Sequence, residues 1–278
     1  MSDPLFIERG GHRTWLKWHR ARRRASDPVF TGARILEAMR LGASVEVDLV
    51  VTADGGFAVL HDHVLDRETT GTGRVDAAHD TDIRTLKLRG NTGEPLPDSV
   101  MLLDDLCRLA RANPIAEGAL LQLDLKEEAA ALDETAIRRF AEAVTPLADN
   151  IILSSGDAPA VEYLRRAVPA MSTGFDASDK ARVDEALAAG NVDGFVDWAV
   201  AAAPNASIIY LYWEIVTRFA DSGLDIIAAF HRHHRRIDAW TIRQVDAEAL
   251  SQVERLLSLH ADQITTDDPE GLYAALTS

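Results

Sequence analysis

The chain has 278 residues with 29 basic and 44 acidic side chains, a formal charge of −15, which excludes nucleic acid and anionic membrane as general partners because both demand a positive surface. Hydrophobic residues make up 47% and charged residues 26%, the balance of a globular protein with a sizeable core. A single cysteine, Cys107, forbids an intramolecular disulfide, and no stretch is long and apolar enough for a membrane span. The start, MSDPLFIERGGHR, lacks the basic and apolar pattern of a secretory signal, so the expected location is cytoplasmic, without integral membrane association.

Taken in order, TWLKWHR at 14–20 alternates as a short strand and ends in His19 and Arg20, followed by the basic loop ARRRASDP. TGARILEAMRLG at 31–42 has apolar residues at helical spacing and a closing glycine, and feeds the strand VEVDLVV. Period two puts Glu46 and Asp48 on one face of that strand. Neighbouring carboxylates in an apolar run repel and are poorly solvated, so such a pair needs a cation, a proton or hydrogen-bond donors. TADGG reads as a turn that returns the chain through FAVL and delivers His61 to the same neighbourhood.

The irregular stretch at 62–98, rich in Gly, Thr and Asp, is too long for an idle connection and is expected to be an ordered insertion. A helix over 99–113 leads to the strand ALLQLDLK, with Asp124 and Lys126 on a shared face. Helix 133–148, strand NIILSS, helix APAVEYLRRAV, strand MSTGFD and helix DKARVDEALAAG continue the alternation. Strand GFVDWAV comes next, with SIIYLYW as the alternative sixth strand before the helical LDIIAAFHRHHRR. Strand IDAWTI, helix 246–260, strand QITTDDP and a terminal helix close the chain.

Eight strands alternating with helices predict an α/β fold, a single-domain (β/α)8 TIM barrel over 1–278 with a hairpin and a small insertion after strand 2. An open doubly wound sheet would want a glycine-rich phosphate turn after its first strand, and the loop at 21–25 contains no glycine. In such barrels the working residues sit at strand C-termini, where His19, Glu46, Asp48, Asp124, Lys126, Trp240 and Asp267 all fall. Glu46, Asp48 and Asp124 offer hard oxygen ligands and favour Mg²⁺ or Ca²⁺ over Zn²⁺. His19 and His61 are then available for proton transfer, and Arg20 and Lys126 add fixed positive charge. The set describes a site for a phosphate ester. Trp240, at a strand end, is read as an apolar wall beside the substrate, whereas Asp267 and Asp268 are left as caps of the last helix.

These residues resemble the glycerophosphodiester phosphodiesterase family from about His19 to Pro269. His19-Arg20 looks like the family's opening His-Arg-Gly, VEVDLVVTADGGFAVLHDHVLDRETTGTG like its central signature, LDLK like its Glu-x-Lys strand, and IDAWTI with QITTDDP like its closing pair. The steps of 27 residues from His19 to Glu46 and 15 from Glu46 to His61 also fit. The resemblance implies a metal-dependent enzyme splitting a small-molecule phosphodiester into glycerol 3-phosphate and an alcohol. It assigns His19 and His61 as the acid/base pair, Glu46, Asp48 and Asp124 as metal ligands, and Arg20 and Lys126 as phosphate contacts. A substrate hydroxyl would attack first and water would open the cyclic phosphate.

Three departures stand out: Ala21 replaces the family's Gly, Asp27-Pro28-Val29-Phe30 replaces Pro-Glu-Asn-Thr, and Asp124 replaces the common Glu. With Arg22, Arg23 and Arg24 in the first loop, they point to a different or more anionic head group. The sphingomyelinase D type shares the Asp-x-Lys strand and is the alternative, with a sugar phosphodiesterase or a catalytically silent phosphate-ester-binding barrel as further readings. The TTGTG segment and the absence of disulfides favour the glycerophosphodiesterases.

Overall fold

A computed structural model describes residues 4–277. Its strands are β1 Phe6–Arg9, β2 His12–Trp18, β3 Ser44–Val51, β4 Phe57–Ala58, β5 Lys87–Arg89, β6 Pro95–Ser99, β7 Leu120–Leu125, β8 Ile151–Ser154, β9 Ser172–Asp176, β10 Ile208–Tyr212, β11 Arg236–Ile242 and β12 Gln263–Thr266. The fold class is the (β/α)8 barrel, whose parallel strands here are β2, β3 and β7 to β12. The chain forms two compact units, one comprising residues up to His19, Arg23–Ala25 and the chain from Thr173 onward, the other Arg20–Arg22 and Ser26–Ser172.

In the second unit, β3 pairs in parallel with β7 and β7 with β8, while β4 folds back antiparallel on β3. All eight residues of β3 are buried, as a Val-rich strand covered on both faces requires. The helix Gly32–Leu41 feeds it and ends on Gly42 in the left-handed region at φ 82°, a conformation glycine adopts without a Cβ clash. The FAVL return shortens to two paired residues, Phe57 and Ala58, so His61 sits in the loop beyond β4. Within 62–98, short helical turns and the β5/β6 pair form an ordered excursion, with Glu68 and Thr69 buried. Cys107, in the helix Leu103–Arg111, is a buried core residue whose thiol is pushed up to about 12 by burial, which makes it unreactive.

In the first unit, β2, β12, β11, β10 and β9 are neighbours in parallel register, and β1 adds an antiparallel hairpin to β2 that the alternation pattern did not reveal. The sixth parallel strand is the alternative, SIIYLYW: β10 covers Ile208–Tyr212, and GFVDWAV lies in a helix, Val192–Ala202. The reason is local. Asn191 caps that helix by accepting from the Gly194 N–H, and its buried Phe195, Val196 and Ala199 follow the helical period.

Inward-facing residues of this unit stack in two layers. Lys17 Nζ lies 2.8 Å from Asp238 Oδ2 and 4.3 Å from the centre of the Tyr210 ring, while the Thr265 hydroxyl donates to Asp238 Oδ1 at 2.6 Å. Two residues further along each strand the same face carries His19, Tyr212, Trp240 and Asp267. That second layer lies at the strand C-termini.

Candidate active site

In the second unit the β3/β7 register sets Asp48 directly opposite Asp124, with Glu46 one pleat below opposite Gln122. Ligand oxygens of Glu46, Asp48 and Asp124 all lie within 4.8 Å of one another. Lys126 pairs with Asp48 Oδ1 at 2.7 Å and also with Asp124, confirming the shared face expected of LDLK. The Ser154 hydroxyl donates to Asp124 Oδ1 at 2.6 Å and in turn accepts from the Gln122 amide at 2.8 Å. Asp124 is therefore held by Ser154 on one oxygen and by Lys126 on the other.

Arg20 joins this cluster by an unusual backbone. With φ 51° and ψ 37° it turns its N–H onto Glu46 Oε2 at 2.8 Å, and its Nε approaches Asp48 Oδ2 to 3.1 Å. Ala21 follows at φ 59°, a region that costs a non-glycine residue about 1–2 kcal/mol and that explains why glycine would be at ease there.

The electrostatics follow from burial and neighbours. Burial pushes the Glu46 carboxyl well up from its ordinary 4.5, and the negative charges of Asp48 and Asp124 add to the shift. Burial alone would raise Asp48 too, but Lys126, Arg20 and His61 outweigh it and hold Asp48 below the usual carboxylate range. Lys126 is opposed by burial yet raised far above its ordinary value by Asp124, Asp48 and Glu46.

The donor set fits a hard divalent ion: three carboxylates converge, and the buried Asp48 Oδ2 faces Arg20 Nε at 3.1 Å without hydrogen-bond geometry.

His61 is held at two levels. Its Nδ1 donates to Asp62 Oδ1 at 2.8 Å, and Asp62 is gripped by a two-pronged Arg67, both bonds at 2.6 Å. The Arg67 hydrogen bonds draw the Asp62 carboxyl down to about 2, so it stays ionised and keeps the imidazole proton on Nδ1. Below them the buried Glu68 accepts the backbone N–H of His61 at 2.9 Å and of Asp62 at 3.0 Å through one oxygen. His61, Asp62 and Glu68 could also be drawn as a metal triad, but these bonds already engage their oxygens and the histidine Nδ1. Glu68→Ala is expected to leave both N–H groups unpaired, costing about 1–3 kcal/mol of stability, and to lower kcat more than KM. Glu68→Gln, whose amide oxygen can still accept, should recover part of both, as thermal denaturation and steady-state kinetics would show.

In the first unit His19 Nδ1 lies 2.6 Å from Asp267 Oδ1. Asp267 is thus an imidazole partner, while Asp268 caps the last helix by accepting from the Gly271 N–H at 2.7 Å. In sequence only its place at a strand end hinted at this role. Trp240 stands in the same layer, its ring centre 5.4 Å from that of Tyr212. The arginine loop is engaged internally. Arg23 and Arg24 both pair with Glu270, and Arg22 donates to the Asp27 carbonyl and to Asn91. Ser154, Asp62, Glu68 and Tyr212 carried no sequence signal of their own.

The chain matches the Glycerophosphoryl diester phosphodiesterase family over residues 25–271, a span that contains the carboxylate cluster and His61 and begins after His19 and Arg20. No curated protein matches it in sequence. Among solved structures it is similar to a glycerophosphodiester phosphodiesterase from Parabacteroides distasonis, 18% identical with a TM-score of 0.68, covering 96% of this chain and 98% of that one. It is similar to a second from Agrobacterium tumefaciens, at 22% identity and a TM-score of 0.66, covering 94% and 99%. A third, an Oleispira antarctica phosphodiesterase in complex with the product sn-glycerol-3-phosphate, is 17% identical with a TM-score of 0.66, covering 95% and 96%. With most of its length matched, the chain belongs to the glycerophosphoryl diester phosphodiesterase family and is a phosphoric diester hydrolase.

Proposed function

We propose that the protein is a divalent-metal-dependent glycerophosphodiester phosphodiesterase that releases glycerol 3-phosphate and an alcohol from a small diester in the cytoplasm, within lipid and glycerol metabolism. The observation that carries this reading is the cluster of Glu46, Asp48 and Asp124 braced by Arg20 and Lys126. Three negative and two positive charges sum to −1, and a divalent ion brings the sum to +1, matched to the single charge of a phosphodiester. Glu46, Asp48 and Asp124 would hold Mg²⁺ or Ca²⁺, which supplies charge neutralisation at the phosphoryl oxygens.

The chain's own residues do the rest. Arg20 and Lys126 orient the phosphate, and Trp240 walls the substrate. His19 and His61 form the acid/base pair, each with Nδ1 turned to a carboxylate so that Nε2 is the nitrogen assigned to proton transfer. One imidazole takes the proton of the glycerol hydroxyl next to the phosphate as its oxygen attacks phosphorus. The other protonates the alkoxide that leaves. The roles then reverse: water loses a proton as it attacks the cyclic phosphate, and the opened hydroxyl regains one. No protein nucleophile is needed. Among the described residues no helix is long and apolar enough to cross a membrane, and the substrate is a water-soluble ester in this reading.

The deciding assay follows glycerophosphodiester turnover with Mg²⁺ or Ca²⁺, with and without chelator, and identifies which product retains phosphate. Phosphate on glycerol supports the reading, whereas phosphate left on the other alcohol, or undiminished activity in chelator, overturns it.

A linked prediction concerns pH. The folded state holds the Glu46 proton above its ordinary 4.5, so folding favours the protonated form and Glu46 opposes stability increasingly as pH rises toward its folded value. A divalent ion displaces that proton and relieves the penalty. Metal-induced stabilisation, read as the shift in Tm, is therefore expected to grow as pH rises from the ordinary 4.5 toward the raised folded value of Glu46. A shift that is flat across that range would remove Glu46 from the ligand set.

A further inference from the structure

In the second unit Arg20 reaches the carboxylate cluster through a backbone that residues with a Cβ rarely adopt, and it has company. Ala21 at φ 59° and Phe30 at φ 58° lie in the same left-handed region, where the Cβ crowds a carbonyl oxygen. Strained residues gathered in this way persist where the surroundings over-determine them. Part of the hold is internal: Ala21 and Phe30 are buried, and the Phe30 N–H donates to the Arg20 carbonyl at 3.0 Å. The excursion after β4 supplies more.

β5 and β6 pair as an antiparallel hairpin, and Asn91 stands in the turn between them. Its amide nitrogen donates to the Ser26 carbonyl at 3.1 Å and to the Asp27 carbonyl at 3.3 Å, while its Oδ1 accepts from Arg22 at 2.8 Å. Arg22 Nε in turn donates to the Asp27 carbonyl at 3.0 Å. One planar group with donors and an acceptor thus ties the chain just after Arg20 to the chain just before Phe30. An aspartate there would set carboxylate oxygen against two carbonyl oxygens. The turn itself is stiffened by the Gly90 N–H on the Glu94 carbonyl at 2.8 Å and by the Arg89 guanidinium on the Gly93 carbonyl at 2.7 Å.

The same hairpin grips the segment that serves His61. The Arg89 N–H donates to the Glu68 carbonyl at 2.8 Å, Arg89 Nε donates to the Thr69 carbonyl at 2.6 Å, and the Thr70 N–H donates to the Lys87 carbonyl at 2.9 Å. Glu68 is the residue whose carboxylate accepts the backbone N–H groups of His61 and Asp62.

We propose that the β5/β6 hairpin is a brace that fixes Arg20 and His61 relative to each other, with Asn91 as the positioning residue for Arg20; its consequence for turnover rests on the phosphodiesterase reading above. Asn91 acts through Arg22 and the two loop carbonyls. Releasing them lets Arg20 and Ala21 relax toward right-handed backbone, which withdraws the Arg20 N–H from Glu46 and its guanidinium from Asp48.

The test uses the full chain with Asn91→Ala, Arg22→Ala and the double variant. Asn91 is exposed, so its variant is expected to fold. Amide hydrogen exchange should quicken severalfold at Arg20 and Phe30 and stay unchanged in the helix Leu103–Arg111, whereas general destabilisation would quicken both. With Mg²⁺ or Ca²⁺ present, kcat/KM on a glycerophosphodiester should fall by about 10- to 100-fold, the cost of a small misplacement of a positioned group. The double variant should be no worse than the poorer single one, because the two side chains form one tie. Thr92→Ala, in the same turn, should change neither exchange at Arg20 nor kcat/KM. Unchanged exchange at Arg20, quickened exchange with undiminished kcat/KM, or fully additive losses would each overturn the inference and leave the phosphodiesterase reading intact. If the wild type turns over no diester, that reading fails instead, and exchange alone decides the brace: quickening at Arg20 in Asn91→Ala supports it, and its absence overturns it.

Discussion

Replacing His19 by alanine is expected to lower kcat on a glycerophosphodiester by roughly 100- to 10,000-fold, the usual worth of a positioned general acid or base. His61→Ala should fall in the same range. The two losses can be told apart by the leaving group. A nitrophenolate departs without needing a proton, so on a nitrophenyl diester the variant lacking the general acid should recover much of its rate, while the variant lacking the base stays slow. Recovery in neither or in both would separate the histidines from an acid/base pair. The carboxylate partners give a second handle. Asp267→Asn and Asp62→Asn remove the acceptor that keeps each Nδ1 protonated, and both should lower kcat with smaller changes in KM. For Asp62 the sign with pH is set by its depressed carboxyl, about 2. The group is ionised over the whole working range, so the wild-type profile should show no loss of activity attributable to Asp62 above about pH 4.

Asp48→Ala is the second large effect, and it should act twice. Asp48 faces Lys126 at 2.7 Å and Arg20 at 3.1 Å with its side chain 2% exposed. Deleting it leaves Arg20 without its carboxylate and Lys126 with Asp124 alone, and breaking a buried pair in this way costs about 3–5 kcal/mol. The metal-free variant should therefore melt several degrees lower. Turnover should drop by at least about 1,000-fold, because the lost carboxylate is also a proposed metal ligand. Divalent ion should no longer raise Tm. A variant that loses activity yet keeps the full metal-induced shift would limit Asp48 to bracing the two cations. Asp48→Asn keeps the volume and serves as the control for packing.

How far the sequence alone could be read depended on distance along the chain. Alternation within one strand was enough to set Glu46 with Asp48, and the same rule set Asp124 with Lys126; the structure has both pairs as read. The helix end marked by Gly42 was also legible, since a closing glycine acts on the turn just before it; the caps at Asp133, Asp157 and Asp179 came from the structure. The reading chose wrongly between GFVDWAV and SIIYLYW because a short apolar run fits either period, and the Asn191 cap tipped the first into a helix. The basic loop shows the same limit: the sequence displays three arginines but not that Glu270, some 250 residues on, pairs with two of them.

The sequence by itself determined the kinds of groups in the proposed site: three hard carboxylates, two histidines, an arginine and a lysine, in an order that resembles one family. It determined which of them share a face inside each strand, because the two-residue repeat of a β-strand is a local property of the backbone. Only the tertiary structure decided their partners. The β3/β7 register brought Asp124 opposite Asp48 across 76 residues, a left-handed turn at Arg20 aimed its N–H at Glu46, strand order handed Asp267 to His19, and the fold of the loop after β4 turned Glu68 onto the backbone of His61. Proton affinity followed from those meetings, since the raised Glu46 carboxyl and the lowered Asp48 carboxyl are consequences of burial and neighbours and not of residue type.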